Sequence, residues 1–233
     1  MEDVTARLVL VRHGQASFGA KDYDCLSEAG HRQARLAGEI LARRRPSIGR
    51  IVAGSMRRHQ ETAAGCLVGM GRPGPVETDA GWNEFDHEEL IRVHEPRYED
   101  HLILHREMAL APDPQQAFLS LFRAAFSRWT SGRNDGDYRE TFAAFRARVA
   151  AASCRAAEAT RPSGPVLVVT SGGPIAATVA GRLGLSPEGL LGLAFRLANA
   201  GITTLAFRGS GLTVEDLNDH AHLADEPGLL TYR

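Results

Sequence analysis

Three short stretches of this 233-residue sequence bring together residue types that can handle a phosphoryl group. The first is Arg12-His13-Gly14. An unprotonated imidazole is a nucleophile. A guanidinium beside it offers a planar, permanently charged fork that suits phosphate oxygens, and a glycine lets an anion come close to the backbone. Flanking positive charge disfavours a proton on His13, so its neutral form should dominate near pH 7. The second stretch is Arg57-Arg58-His59-Gln60-Glu61-Thr62-Ala63, whose arginines open an expected helix where backbone N–H groups add affinity for anions. The third surrounds Glu84 in Gly81-Trp82-Asn83-Glu84-Phe85-Asp86-His87. A carboxyl beside buried aromatics has its pKa raised and can act as a general acid. Each alone has a bland reading: a loop histidine, a solvated basic helix start, a surface glutamate. Their weight comes from occurring together.

Positioning them requires a rigid scaffold, and the pattern of elements supplies one. Residues 7–11 form a nearly continuous, β-branched apolar run, which predicts a buried parallel strand. Loop residues lead to Ser27, which can cap a helix with Leu36, Ala37, Ile40 and Leu41 on one face. Arg43, Arg44 and Arg45 suit its negative end, and Pro46 stops it. A strand at 50–53, a helix at 56–68 and a short strand at 73–78 follow. Residues 85–138, rich in His, Met, aromatics and Pro, read as two or three helices inserted over the sheet. Phe142, Phe145 and Val149 continue as a helix to about residue 159; then come the clearest strand, 165–169, the turn Ser171-Gly172-Gly173-Pro174, a helix from Ile175, and final strands at 202–207 and 212–217. Alternating strands and helices predict a three-layer α/β/α sandwich with a mostly parallel sheet and a mainly helical insertion as lid, all one domain over 1–233. Ligands of such sheets bind beyond the carboxyl ends of the strands, so the loops after Val11 and Val169 matter most.

Bulk properties exclude several classes. Apolar residues make up 43% and charged residues 24%, values of a globular chain and not a disordered one. A net charge of -1 favours neither nucleic acid nor an anionic membrane as partner. The acidic start and the short apolar run after it suit neither a signal peptide nor a membrane span. Cys25, Cys66 and Cys154 are far apart and odd in number, which predicts free thiols and a cytoplasmic address. His101 and His105 share a helix face, yet no third ligand accompanies them, so no metal is expected. Phe118, Leu119, Leu121, Phe122, Ala125, Phe126 and Trp129 are most simply a core stripe. The same stripe has two other uses, as a cleft lining or as the seam of a homodimer.

The ordered set of motifs resembles the histidine phosphatase (phosphoglycerate-mutase-like) superfamily over nearly the whole chain. Arg12-His13-Gly14-Gln15 is similar to the family's Arg-His-Gly signature. The stretch from Tyr23-Asp24-Cys25-Leu26-Ser27 to Gly30, with Gln33-Ala34, resembles its next segment. Arg58, four residues before Thr62, matches its second phosphate arginine, and Glu84 matches its proton donor. Val168 to Gly173 resembles its "V-V-S-H-G-G", and Asn218 to Leu223 its closing "N-x-x-x-H-L". The resemblance implies phosphoryl transfer through phosphohistidine, with His13 as nucleophile and Glu84 as acid and then base. It implies phosphate binding by Arg12, Arg58, Gln15, Ser171, Gly172 and His222, and no cofactor.

One departure stands out: the family's second pocket histidine is replaced by Ser171. Losing such a donor can cost about 2.7–4 kcal/mol of transition-state stabilisation. The Ser-Gly-Gly-Pro turn offers backbone N–H groups in partial compensation, with Pro174 at the first helical position. His222, His220 and His87 are the candidates to replace the donor. Ser171 as a nucleophile is disfavoured, because Gly-x-Ser-x-Gly is absent and the sequence shows no partnered base. A phosphatase acting on a small phosphorylated metabolite is therefore expected first. The alternatives are a phosphoglycerate mutase and a phosphate-ligand binding protein of low activity, the first disfavoured and the second favoured by Ser171.

Overall fold

Leu8-Val9-Leu10-Val11 is apolar on both sides of its pleat, so neither face of the strand it forms should meet water. The computed structural model describes residues 6–17, 24–44, 48–208 and 211–232. It places this run in β1 (Arg7–Arg12), with all four side chains fully buried. The other strands are β2 (Arg50–Ala53), β3 (Glu77–Thr78), β4 (Val166–Thr170), β5 (Ile202–Arg208) and β6 (Gly211–Asp219). Their order across the sheet is β3-β2-β4-β1-β5-β6. The first four run parallel; β5 is antiparallel to β1, and β6 to β5. The mostly parallel α/β sheet read from the sequence is present, with an antiparallel pair closing one side. β3 is shorter than expected, because Pro73 and Pro75 have no N–H to give to a ladder.

The helices are α1 (Glu28–Arg44), α2 (Arg57–Gly69), α3 (His87–His94), α4 (His101–Leu110), α5 (Pro114–Thr130), α6 (Phe142–Ser163), α7 (Gly172–Leu183) and α8 (Pro187–Ala194). α7 starts before Ile175, and Pro174 sits in its first turn, where its missing N–H costs nothing. Arg45 and Pro46, expected to close α1, and Tyr23 lie outside the described residues. The chain divides into two compact units. One, Met1–Glu84 with Arg148–Arg233, contains the sheet. Within it, Val9, Val11, Ile51, Ala53, Leu167 and Val169 gather against Ala37 and Leu41 of α1 and Ala63, Cys66 and Leu67 of α2. Leu8, Leu10, Val166 and Val168, of opposite parity, are buried on the other face. α7 packs against β1, and its Thr178 hydroxyl lies 3.3 Å from that of Ser153 on α6.

The other unit, Phe85–Ala147, holds α3, α4, α5 and the start of α6. Its core is aromatic: Trp129 lies 5.1 Å from both Phe85 and Phe142, centroid to centroid, and donates its indole N–H to the Glu140 carbonyl. The stripe on α5 is core from Phe122 onward, whereas Phe118 is 37% exposed. Among the described residues no helix is long and apolar enough to cross a membrane.

α1 and α2 approach so closely that a Cβ on Gly38 would overlap the Cys66 carbonyl oxygen. Backbone cannot yield as a flexible side chain can. Gly38→Ala should destabilise the fold by about 2–3 kcal/mol, read as a lower urea midpoint at unchanged m-value; an unchanged midpoint would show that the helices can separate freely.

Candidate active site

β2, β4 and β1 are neighbours, and their last residues are in register: Ala53 beside Val169, and Thr170 beside Arg12. The chain therefore leaves all three at one edge, and the following loops must meet there. After β1 come His13 and Gly14, after β4 Ser171 and Gly172, and after β2 the first turn of α2 with Arg58 and His59. The His13 backbone is tied from several sides. Its N–H donates to the Thr170 carbonyl at 2.8 Å, and its carbonyl accepts from the Asn199 side chain at 3.1 Å. The Gly14 N–H donates to the Thr62 hydroxyl at 3.0 Å, and that hydroxyl donates to the Arg58 carbonyl at 2.7 Å. The Gln15 N–H donates to the Gln33 side chain at 2.7 Å, and Gln33 in turn donates to the Leu229 carbonyl and the Thr231 hydroxyl. Thr231 donates to Asn199, closing the circuit. Gly14 is required by sterics, since any Cβ there would overlap the Gly30 carbonyl oxygen.

The His13 ring is 6% exposed as part of its residue, and its Nδ1 lies 2.7 Å from the Gly14 carbonyl oxygen. A carbonyl only accepts, so Nδ1 carries the hydrogen and Nε2 the lone pair. Burial first, then the Arg58 and Arg12 guanidinium groups and His59, push the His13 pKa well below the usual 6.5. The expected neutral imidazole is thus produced by desolvation more than by charge. Arg12 donates to the Leu197 carbonyl, and a Cβ on Gly172 would sit 3.7 Å from its Nε. Arg58 is held by Asp24 at 2.6 Å, while its Nε is buried with no hydrogen-bond partner among the described residues.

Ser171 caps α7, yet its side chain makes no capping bond. Its Oγ lies 2.7 Å from Nε2 of His59, a fully buried side chain whose ring centroid is 5.8 Å from that of His13. Gly54 backs the His59 ring, where a Cβ would overlap Nδ1. Burial, with Arg58 assisting, lowers the His59 pKa to about 3. Glu84 accepts the Gly173 N–H at 3.0 Å. The segment before it is braced by Arg148, which donates to the Gly81 and Asn83 carbonyls, by the Arg155–Asp79 ion pair, and by the Thr170 hydroxyl donating to the Trp82 carbonyl.

His13, Arg12, Arg58, Ser171, Gly172 and Glu84 are therefore linked through direct neighbours at one sheet edge. Gln15 points its side-chain oxygen at the Ser27 hydroxyl, 3.0 Å away, and holds the α1 start instead. His222 is set apart. It lies in the turn after β6 that packs on α1, its nearby charges are Asp219, Arg44 and His220, and burial lowers its pKa to about 4. His220 bonds the Asn218 carbonyl, and His87 begins α3 in the other unit. The residue against Ser171 is thus His59, which the sequence reading passed over as part of a helix start. It also supplies a base partner to Ser171 that the sequence did not reveal. With a pKa near 3 it is a poor general base, so the disfavoured serine-nucleophile reading gains nothing. Among the described residues no group of three or more His, Cys, Asp or Glu could hold a metal.

The family model "Histidine phosphatase superfamily (branch 1)" matches residues 8–113 and 112–220. A glucosyl-3-phosphoglycerate phosphatase of Mycolicibacterium vanbaalenii is 38% identical over 79 residues, 31% of this chain, and the match spans about a third (34%) of that relative's length. A phosphoserine phosphatase of Entamoeba histolytica, in complex with phosphoserine, superposes with a TM-score of 0.63 at 19% identity, covering 93% of this chain and 98% of the other. A phosphoglycerate mutase of Bacillus anthracis gives 0.64 at 20% identity, covering 94% and 96%. At such identities the likeness is one of fold.

The buried histidines carry a pH signature. Between pH 6.5 and about 3 an unfolded chain takes up a proton that folded His59 refuses, so stability falls as pH drops through that window and is unaffected above it. One such group contributes a slope of about 1.4 kcal/mol per pH unit, and His13 acts in the same direction. In urea unfolding at pH 7, 5.5 and 4.5, His59→Gln should lose less stability on acidification than the natural chain; equal losses would contradict the assignment.

Proposed function

Because the chain belongs to the histidine phosphatase superfamily, we propose that it hydrolyses the phosphomonoester of a small metabolite through a phosphohistidine on His13. The observation that carries this reading is the His13 tautomer: Nδ1 is committed to the Gly14 carbonyl, leaving the Nε2 lone pair as nucleophile beside two guanidinium groups. His13 Nε2 forms the N–P bond as the bond from phosphorus to the leaving oxygen breaks. Arg12 and Arg58 take up charge on the equatorial oxygens. Glu84 gives its proton to the leaving oxygen. Water then attacks phosphorus, the N–P bond breaks, and Glu84 receives the water proton, so that ester and water become alcohol and inorganic phosphate. As part of the same reading, the helical segment 85–138 sets substrate choice.

A second reading, a phosphate-ligand binding protein, draws on Ser171 in place of the family's histidine donor. Turnover separates the two. With an aryl phosphate, the natural chain should release phosphate and His13→Ala should lower kcat by more than about 1000-fold, with acid-labile label on the protein lost in the variant. Equal rates in both proteins would remove the phosphohistidine reading; vanadate binding without turnover would favour the binding protein. Conversion of 3-phosphoglycerate to 2-phosphoglycerate would assign a mutase.

Low pH tests the same imidazole. Since His13 stays unprotonated well below pH 6.5, kcat/KM should not fall on acidification from pH 7 to 6, as it would with an ordinary histidine. A midpoint at 6.5 would show that the ring is solvated during turnover.

A further inference from the structure

We propose that His59, from α2, restores through the Ser171 hydroxyl the phosphoryl-oxygen donor whose usual position Ser171 occupies, acting as a positioning residue. This rests on the phosphohistidine reading above.

The argument begins with the ring's two nitrogens. His59 Nε2 lies 2.7 Å from Ser171 Oγ, and Nδ1 is buried without a hydrogen-bond partner among the described residues. The ring is neutral, its pKa held near 3, so only one nitrogen carries a hydrogen. A hydrogen on Nδ1 would leave a buried donor unused, whereas a hydrogen on Nε2 leaves only an unused lone pair, the less costly of the two. Nε2–H therefore donates to Ser171 Oγ. That occupies an acceptor site of the hydroxyl and turns its own hydrogen elsewhere. The capping role that serines at this position usually take is not in use.

The surroundings then decide where that hydrogen is useful. Ser171 precedes Gly172, where a Cβ would lie 3.7 Å from Arg12 Nε, and follows Thr170, whose carbonyl fixes the His13 N–H. The His59 and His13 rings are 5.8 Å apart. A group bonded to His13 Nε2 and held by Arg12 would thus stand beside Ser171. A hydroxyl polarised by a fixed imidazole is a stronger donor than a solitary one, because hydrogen bonds in a buried chain reinforce one another. No proton changes owner in this arrangement; the imidazole only orients and polarises. His59 itself is fully buried, which is why it acts through the serine. Gly54 belongs to the same device, since any side chain there would push the ring away.

The test is a double-mutant cycle on an aryl phosphate, with His13→Ala as control. His59→Ala and Ser171→Ala should each lower kcat by about 10–100-fold, with KM changed far less, and the double variant should be no slower than either single one. His59→Gln, whose amide nitrogen can donate to the same oxygen, should recover most of kcat and verifies the role if His59→Ala fails to fold. Nitrogen-15 NMR of the natural chain should show His59 protonated at Nε2. Unchanged kcat in stably folded His59→Ala, additive losses, no rescue by glutamine, or an Nδ1–H ring would each overturn the proposal. If His13→Ala keeps full turnover, the phosphohistidine reading fails instead, and the cycle then shows no effect confined to kcat.

Discussion

The Thr62 hydroxyl stands between two parts of the site that are distant in sequence. It accepts the Gly14 N–H and donates to the Arg58 carbonyl, so the loop carrying the imidazole and the helix carrying a guanidinium share one atom. A hydroxyl can do both because it is donor and acceptor at once. The neighbouring constraints follow the same logic. Gly14 can reach Thr62 only if its loop lies flat on Gly30, and Gln33 can support Gln15 only if α1 runs beneath that loop. Side-chain geometry at the sheet edge is thus set by backbone groups being paid in full.

That precision serves an unusual electrostatic state. Arg58, His13 and His59 are buried beside the half-buried Arg12, and both imidazoles respond by staying neutral. The guanidinium groups cannot shed their charge. Asp24 and the Leu197 carbonyl each engage part of them, which fixes which edge is offered. A dianionic ligand entering such a site meets dipoles and charges already oriented, the condition under which electrostatic stabilisation is largest.

Much of this was legible in the sequence, for reasons that can be named. The apolar runs of β1 and β4 read as strands because both faces are buried and nothing polar interrupts them. Arg12, His13 and Arg58 read as a site because each lies at or after the carboxyl end of a strand, where parallel sheets place their loops. The antiparallel direction of β5 and β6 was not legible, since the residues of a strand carry no arrow. His222 looked like a pocket residue in a linear motif, but the turn after β6 delivers it to α1. His59 was invisible as a functional residue because its meaning lies in a serine 112 positions away. The useful clue would have been a pair: a histidine beside Arg58 and a serine directly after β4.

The circuit through Gln33, Thr231 and Asn199 ends on the His13 carbonyl. The segment after β6 is therefore a latch on the loop after β1. Fraying of residues 229–231 would take away partners of the Gln33 and Asn199 side chains and so slacken the loop that carries His13, at a distance from the ring itself.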